Sequence, residues 1–368
     1  MKKVVVAMSG GVDSSVAAAL LKKQGFNVVG VFMKFWLAPR SPEGEVGKGF
    51  NRCCSPDSER RARMVAKILK IPFYVFNFEK EFKKRVVDYF IKGYKDGITP
   101  NPCVVCNKEI KFGLLLEKAL ALGADFIATG HYARIVSVKP GLTEKIMRGK
   151  DRNKDQTYFL WQLNQKQLKR ILFPVGGYTK PEVRKLAEKF KLPFKKVGES
   201  MEICFVPDKL DDFLKKHLKL RPGPIIAYPE QAKLLAPGKQ WPKHRGLPFY
   251  TIGQRKGMEL SGGPYYVVGK DKKKNTLIVA SILKDSALWS KSLIAKNVNW
   301  ISGKEPKFPL KINAQIRYRH PAVPAVITKK LQATNYKLTF KSPQRAVTPG
   351  QSVVLYKKRE LVGGGIIC

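Results

Sequence analysis

The sequence predicts an α/β protein, a parallel sheet with helices on both faces, followed by β-rich modules. Short apolar runs alternate with helical periodicity through the first 130 residues, the rhythm of strands joined by crossover helices. The first strand-to-helix turn reads Ser9-Gly10-Gly11-Val12-Asp13-Ser14-Ser15, at the carboxyl edge where such sheets gather ligands. Beyond about residue 207, glycine, proline and short alternating strands take over, as in small barrels.

The elements follow in order. VVVA (4–7) is a buried strand, and Ser14 to Lys23 carries alanine, leucine and valine at helical spacing. VVGVFM (28–33) is the second strand, and 38–52 lacks periodicity and reads as a mobile loop. A helix over Glu59–Leu69 precedes the strand FYVFNF (73–78), and a helix over Leu114–Leu122 precedes DFIATG (125–130). Asp208 to Leu218 is a short helix. Strands are expected at 265–271, 276–281, 310–319, 336–340 and 352–358. The reading divides the chain into a nucleotide-type domain (1–207), a small β-rich central domain (208–282) and a C-terminal β-barrel (283–368).

A chain of 368 residues, 44% hydrophobic and 10% aromatic, can bury a core in each of two or three domains. Its formal charge is +42, spread along the chain. That disfavours a polycationic partner and favours a polyanion, nucleic acid before acidic membrane, although a lysine-rich solvated surface would give the same number. No apolar run approaches the roughly 20 residues that span a bilayer. Met1-Lys2-Lys3 leads into too short an apolar stretch for a signal peptide, so a cytoplasmic protein is expected. Six cysteines do not make a disulfide scaffold at this size, and close spacing points to metal or sulfur chemistry.

The loop at 9–15 has two glycines that let backbone approach a ligand, hydroxyls on Ser14 and Ser15, and a helix start whose N–H groups favour anions. Neither GxxxxGK[ST] nor GxGxxG is present. Asp13 reads equally as an N-cap or a Mg²⁺ ligand. In Thr99-Pro100-Asn101-Pro102-Cys103-Val104-Val105-Cys106-Asn107-Lys108 the prolines hold the approach out of helix. Cys103 and Cys106 read as half a metal site, a redox pair, or a nucleophile with a neighbour. Cys204, in Ser200-Met201-Glu202-Ile203-Cys204-Phe205, reads on its own as a core cysteine.

The order SGGVDS, NPCVVCNKEIKFG, TGHYAR (129–134), KDQTYFL (154–160), MEICF, YTIGQRKG (250–257), PGQSVVLY (349–356) and GGGII (363–367) resembles the bacterial tRNA-specific 2-thiouridylase family of the ATP-pyrophosphatase superfamily, end to end. The resemblance implies an adenine nucleotide alpha hydrolase-like first domain and ATP-dependent placement of sulfur on carbon 2 of the wobble uridine, position 34. The tRNAs would be those reading lysine, glutamate and glutamine codons. It implies that Ala7, Met8, Ser9, Gly10, Gly11, Val12, Asp13 and Ser14, with Met33 and Gly130, bind ATP. Asn101, Pro102 and Cys103 would meet the target base. His131, Lys154, Asp155, Gln156, Arg317, Tyr318 and Gln351 would contact tRNA. Cys106 would be the nucleophile and Cys204 the persulfide carrier, with an alternate Cys106–Cys204 disulfide. ATP, Mg²⁺, tRNA and a persulfide donor, a cysteine desulfurase feeding a sulfur-relay protein, are the implied cofactors and partners, with no membrane, and a monomer is expected.

One position departs from the family. Some members carry aspartate where this chain has Cys103, which puts any acid–base role there in doubt. A rival mechanism uses Cys103, Cys106 and Cys204 as three ligands of an iron–sulfur cluster. Cys53 and Cys54 are assigned a structural or loop role, and Cys368 none. Two other function classes compete: a pyrophosphate-loop ligase for a small metabolite, which would not need Cys106 or Cys204, and a non-catalytic RNA-binding or metal-sensing protein, which would not need the loop.

Overall fold

The computed structural model describes residues 1–38, 51–137, 143–194, 203–207, 209–228, 241–281, 286–329 and 335–368. The loop expected at 38–52 falls mostly outside them. Strands β1 (Lys3–Ala7), β2 (Asn27–Lys34), β3 (Phe73–Asn77), β4 (Phe126–Ala128), β5 (Ala133–Ser137), β6 (Glu144–Arg148) and β7 (Ile171–Leu172) lie in the first domain. Five of them form one parallel sheet in the order β3-β2-β1-β4-β7. Val4, Val5 and Val6 are buried between helices on the two faces, hence a continuous apolar run rather than alternation. The chain leaves β1 in one direction and returns on its other side at β4, so a crevice opens between their carboxyl ends.

Helix α1 (Val12–Lys23) buries every residue from Ser14 to Leu21, which explains its alanines. Helix α2 (Pro56–Ile68) starts with Pro56 behind the cap Ser55, whose side chain accepts from Ser58 N at 3.2 Å. Two longer helical runs, 79–95 and 102–121, each contain a wider π turn, Lys83–Val87 and Cys106–Leu114. The approach at 98–101 is non-helical as expected, and the helix begins at the second proline. Asn101 caps the second run, accepting from Val104 N at 3.4 Å, and Pro102 takes the first helical position, where its missing N–H has no cost.

The β-rich half begins with helix Leu210–His217 and a three-stranded sheet of β8 (Ile225–Ala227), β9 (Tyr265–Asp271) and β10 (Thr276–Ser281) in the order β8-β10-β9. Then β11 (Trp289–Trp300), β12 (Leu310–Gln315), β13 (Val323–Lys329), β14 (Tyr336–Arg345), β15 (Ser352–Lys357) and β16 (Glu360–Ile367) close a six-stranded antiparallel barrel. Strand β11 closes it by pairing β14 along its first half and β16 along its second, with an irregularity between Lys296 and Asn299. Asn297 there has a φ of 53°, a bulge that turns the strand around the corner.

The strand expected at 310–319 stops at Gln315, because the chain turns over 317–320 with His320 N bonded to Arg317 O and Arg319 at a φ of 66°. The β5–β6 hairpin belongs to the barrel's sheet: Met147 and Ile146 pair with Glu360 and Leu361 of β16. Trp161, fully buried, reinforces this joint by donating to Ser352 Oγ at 3.0 Å, and Tyr158 donates to Ser352 O at 2.9 Å. The first domain's core thus runs into Val354, Tyr356 and Leu361, while a second core fills the barrel. Among the described residues no helix is long and apolar enough to cross a membrane.

Candidate active site

The loop after β1 is knitted by its own hydroxyls. Ser14 Oγ accepts from Ser9 N at 3.2 Å and donates to Gly11 O at 3.0 Å, and Ser15 Oγ donates to the same carbonyl at 2.9 Å. Gly11 caps α1 with no side-chain bond, so the first-turn N–H groups remain available to an anion. Gly10 has a φ of 71°, and a Cβ there would lie 2.1 Å from Ser58 O at the start of α2. Arg61 of α2 donates to Gly10 O at 3.1 Å. Gly130, after β4, is equally constrained, since its Cβ would meet Ser14 N at 2.6 Å. Met8 is buried, and Met33 is half-buried near the end of β2.

Asp13 is neither a cap nor a free carboxylate. Lys180 Nζ donates to both its oxygens, at 2.7 and 2.8 Å, and Tyr132 OH donates at 2.7 Å. Lys180 is buried and opens the helix Lys180–Lys189 behind the capping residue Thr179. With both oxygens engaged, Asp13 does not fit as a direct Mg²⁺ ligand unless this ion pair opens.

A second group of residues lies along the helix 102–121. Residues five apart on an α-helix point about 140° away from each other. In the π turn, whose bonds run i to i+5, Lys111 instead comes round beside Cys106. The Lys111 ammonium lies among the thiols of Cys106, Cys53, Cys103 and Cys204: burial alone would lower its pKa, but these thiols hold it above the usual lysine value. Cys106 is buried, and that burial pushes its thiol up to about 12 against the pull of Lys111. His131, one residue after Gly130, packs its ring 5.7 Å from Phe112 and is held neutral, well below the usual histidine pKa, by burial and Lys111. The chain of contacts therefore runs from the loop through Gly130 and His131 to the helix that carries Cys106.

Cys204 is half-buried, and the aromatic ring of its neighbour Phe205 is locked between Phe82, Phe90 and Phe213. The Cys53 and Cys204 thiols lie against each other. That contact, helped by Lys111, holds the Cys53 thiol below the usual cysteine range, and the same contact with burial raises Cys204. All six cysteines are free. Among the described residues no three His, Cys, Asp or Glu side chains are placed to hold a metal ion. Among the described residues, Cys103, Cys106 and Cys204 are accordingly not arranged as ligands of a shared cluster.

The positions expected to touch tRNA or its base also carry much of the domain joint. Asn101 is a helix cap that also bonds Tyr158, Pro102 starts the helix and Cys103 is exposed. Thr129 Oγ1 lies 2.7 Å from His131 Nδ1. Lys154 N lies 3.3 Å from Asp151 Oδ1. Asp155 is buried, paired with Arg148 at 2.9 Å and bonded to Thr157, and Gln156 Oε1 accepts from Tyr132 N. Arg317 donates to Ala346 O and Thr348 Oγ1, and Tyr318 lies 4.5 Å from the Phe159 ring. Gln351 donates to Thr99 O at 2.9 Å, so the barrel grips the segment that leads into the cysteine helix. Thr251 Oγ1 of the central domain lies 3.2 Å from Thr99 Oγ1 in the same segment.

Sequence reading assigned Cys53 a structural or loop role, and Lys111, Tyr132 and Lys180 none. Lys111 lies within CNKEIKFG and was signalled only by that motif. Lys180 and Cys53 reach the site across 167 and about 150 residues of chain, and no local pattern announces them.

The lowered Cys53 pKa leaves more thiolate at neutral pH than an ordinary cysteine carries, and that charge is lost as pH falls. Under anaerobic iodoacetamide labelling read by peptide mass spectrometry, Cys53 modification should rise with a midpoint clearly below that of an ordinary cysteine, and Cys106 should stay slow through about pH 9. A Cys53 midpoint near the ordinary 8.5, or Cys106 reacting first, overturns the assignment.

The chain matches three family models: a tRNA methyl transferase HUP domain over residues 2–208, a tRNA methyl transferase PRC-barrel domain over 211–281 and an aminomethyltransferase beta-barrel domain over 290–367. Among curated proteins it is 47% identical to the tRNA-specific 2-thiouridylase MnmA of Carboxydothermus hydrogenoformans, over 100% of this chain and 97% of that one. It is 46% identical to that of Moorella thermoacetica, over 99% and 98%. Identity to that of Streptococcus thermophilus is 43%, over 99% and 95%.

Proposed function

Since this chain belongs to the tRNA-specific 2-thiouridylase family, we propose that it activates carbon 2 of the wobble uridine with ATP and replaces its oxygen with sulfur carried by Cys204. The observation that carries this reading is the continuity of the site: the anion loop, Gly130, His131 and the Cys106 helix adjoin at one edge of the parallel sheet. A loop alone would serve a metabolite ligase; the thiols gathered about Lys111 have no use there.

The uridine C2 oxygen is a poor leaving group, and its adenylation makes it depart as AMP. The loop N–H groups face the phosphates and favour the negative charge that develops as pyrophosphate leaves. Lys180 fixes Asp13 and with it the first turn of α1. Mg²⁺ would supply charge neutralisation at the phosphates. The sulfane sulfur arrives on Cys204 as a persulfide from a partner protein. Cys106 attacks Sγ of Cys204, the S–S bond of the persulfide breaks, and hydrosulfide leaves next to the activated carbon. A Cys106–Cys204 disulfide remains, to be reduced by an external thiol. His131, held neutral, adds no positive charge that would compete with Lys111 for the developing sulfide. The basic surface, +42 overall, suits tRNA, whose phosphates would dominate affinity and make it salt-dependent. The preferred tRNAs are those for lysine, glutamate and glutamine.

The test is a reaction with unmodified tRNA, ATP, Mg²⁺ and a persulfide donor, read as AMP release and as 2-thiouridine at position 34 by nucleoside mass spectrometry. One AMP per 2-thiouridine, both requiring tRNA, is expected. AMP release without tRNA, or a methylated instead of thiolated uridine, overturns it.

A further inference from the structure

We propose that Cys53 is the resolving thiol of this cycle: its sulfur attacks Sγ of Cys204 in the Cys106–Cys204 disulfide, forms a Cys53–Cys204 disulfide and releases Cys106. The proposal rests on the two-cysteine reading above and adds a third residue to it.

Arg52 N donates to Cys204 O at 2.8 Å, which holds the two segments side by side. Cys53 N donates to Asn51 Oδ1 at 3.0 Å, and Asn51 Nδ2 donates to Trp36 O at 3.1 Å. Cys54 is clamped to the end of β2, its sulfur accepting from Phe35 N at 3.3 Å and donating to Phe35 O at 3.6 Å. The residue between these anchors has little freedom, and the Arg52–Cys204 backbone bond keeps its thiol against that of Cys204. Cys54 thus has the structural role expected of the pair, while Cys53 faces the sulfur carrier.

The chemistry balances. The Cys53 thiolate supplies the electron pair, the Cys106–Cys204 bond breaks, and Cys106 leaves as a thiolate beside Lys111 and takes up a proton. One disulfide is exchanged for another, so no oxidant is needed. Position starts the exchange, because the Cys53 thiol lies against Cys204, and removal of the Cys53–Cys204 bond by the reductant draws it forward although Cys106 is the poorer leaving thiol. A dithiol reductant then attacks the half-buried Cys53–Cys204 bond and leaves as its own disulfide. This route spares the reductant from reaching buried Cys106.

The experiment uses the full chain, anaerobically, with tRNA, ATP and a persulfide donor but no dithiol, followed by acid quench, alkylation and non-reducing peptide mapping. The Cys53–Cys204 linked peptide should form beside Cys106–Cys204. In Cys53→Ser the linked pair should be Cys106–Cys204. With dithiothreitol present, its burst of one 2-thiouridine per enzyme should give way to a steady phase about tenfold slower than wild type. Cys368→Ser should follow the wild-type course. A stalled wild type that holds only Cys106–Cys204 overturns the proposal, as does a Cys53→Ser enzyme with an unslowed steady phase. If tRNA is thiolated while Cys204 enters no disulfide in any protein, the two-cysteine mechanism fails and this proposal with it. That result differs from the other two, in which the Cys106–Cys204 bond is seen.

Discussion

Cys106→Ala should lower 2-thiouridine formation by roughly 10³-fold or more, the scale on which loss of an attacking nucleophile is felt. The thiol is buried, opens the π turn Cys106–Leu114 and is drawn towards Lys111. Cys103, one turn earlier, also carries its thiol towards Lys111, but it is exposed whereas Cys106 is buried. Truncation to alanine removes a single buried atom, which costs about 1 kcal/mol and moves the melting temperature by a few degrees. Loss of product with a near-native melting curve therefore reports chemistry. Adenylated tRNA, trapped by acid quench, should accumulate, because activation precedes sulfur delivery. Cys106→Ser should fail alongside it, since a hydroxyl keeps the shape but not the sulfur nucleophile. A Cys106→Ala enzyme that retains more than about a tenth of wild-type thiolation would remove Cys106 from the attack and leave Cys53 as the thiol nearest the persulfide.

What the sequence could disclose depended on whether an element's partner lies close along the chain. The first β-α-β unit was legible because its signals are local: an apolar run, a glycine turn, an alanine-rich helix. Strands β9 and β10 were legible for the same reason, being consecutive and antiparallel. The β5–β6 hairpin was not, since its anchoring strand, β16, lies more than 200 residues away, with Lys145 reaching Glu360 at 2.9 Å. Strand β13 was hidden by Pro324, which a strand tolerates where its missing donor is not needed. The site divides in the same way. The loop and the cysteine motif are contiguous stretches. The pairing of Asp13 with Lys180 and of Cys53 with Cys204 exists only once distant segments meet. The π turn is a further case: periodicity suggested a helix from Leu114, whereas the wider turn before it decides which residue stands beside Cys106.

Gly10→Ala should reduce tRNA-dependent AMP release about 10²-fold, and the contrast with Gly25→Ala shows why. Both glycines have left-handed backbone, φ 71° and 84°, so alanine costs each roughly 1–2 kcal/mol in conformation. Around Gly25 nothing lies within 4 Å, and that cost is all. At Gly10 the new Cβ would lie 2.1 Å from Ser58 O, 2.8 Å from Ser58 C and 2.9 Å from its Cα. These are backbone atoms at the start of α2, held by the Ser55 cap and by Arg61, which bonds Gly10 O and Ser58 Oγ. They cannot rotate aside as a side chain would, so the loop must move instead. A shift of about 1 Å in groups that bind phosphate is enough for a loss of that size. Because the loop moves while the capped start of α2 holds, the fault should sit in the adenylation step, seen as a raised KM for ATP with lowered AMP release. If Gly10→Ala and Gly25→Ala release AMP at the same rate, the close approach of the loop to α2 does not govern the nucleotide site, and the phosphates must be held by other donors.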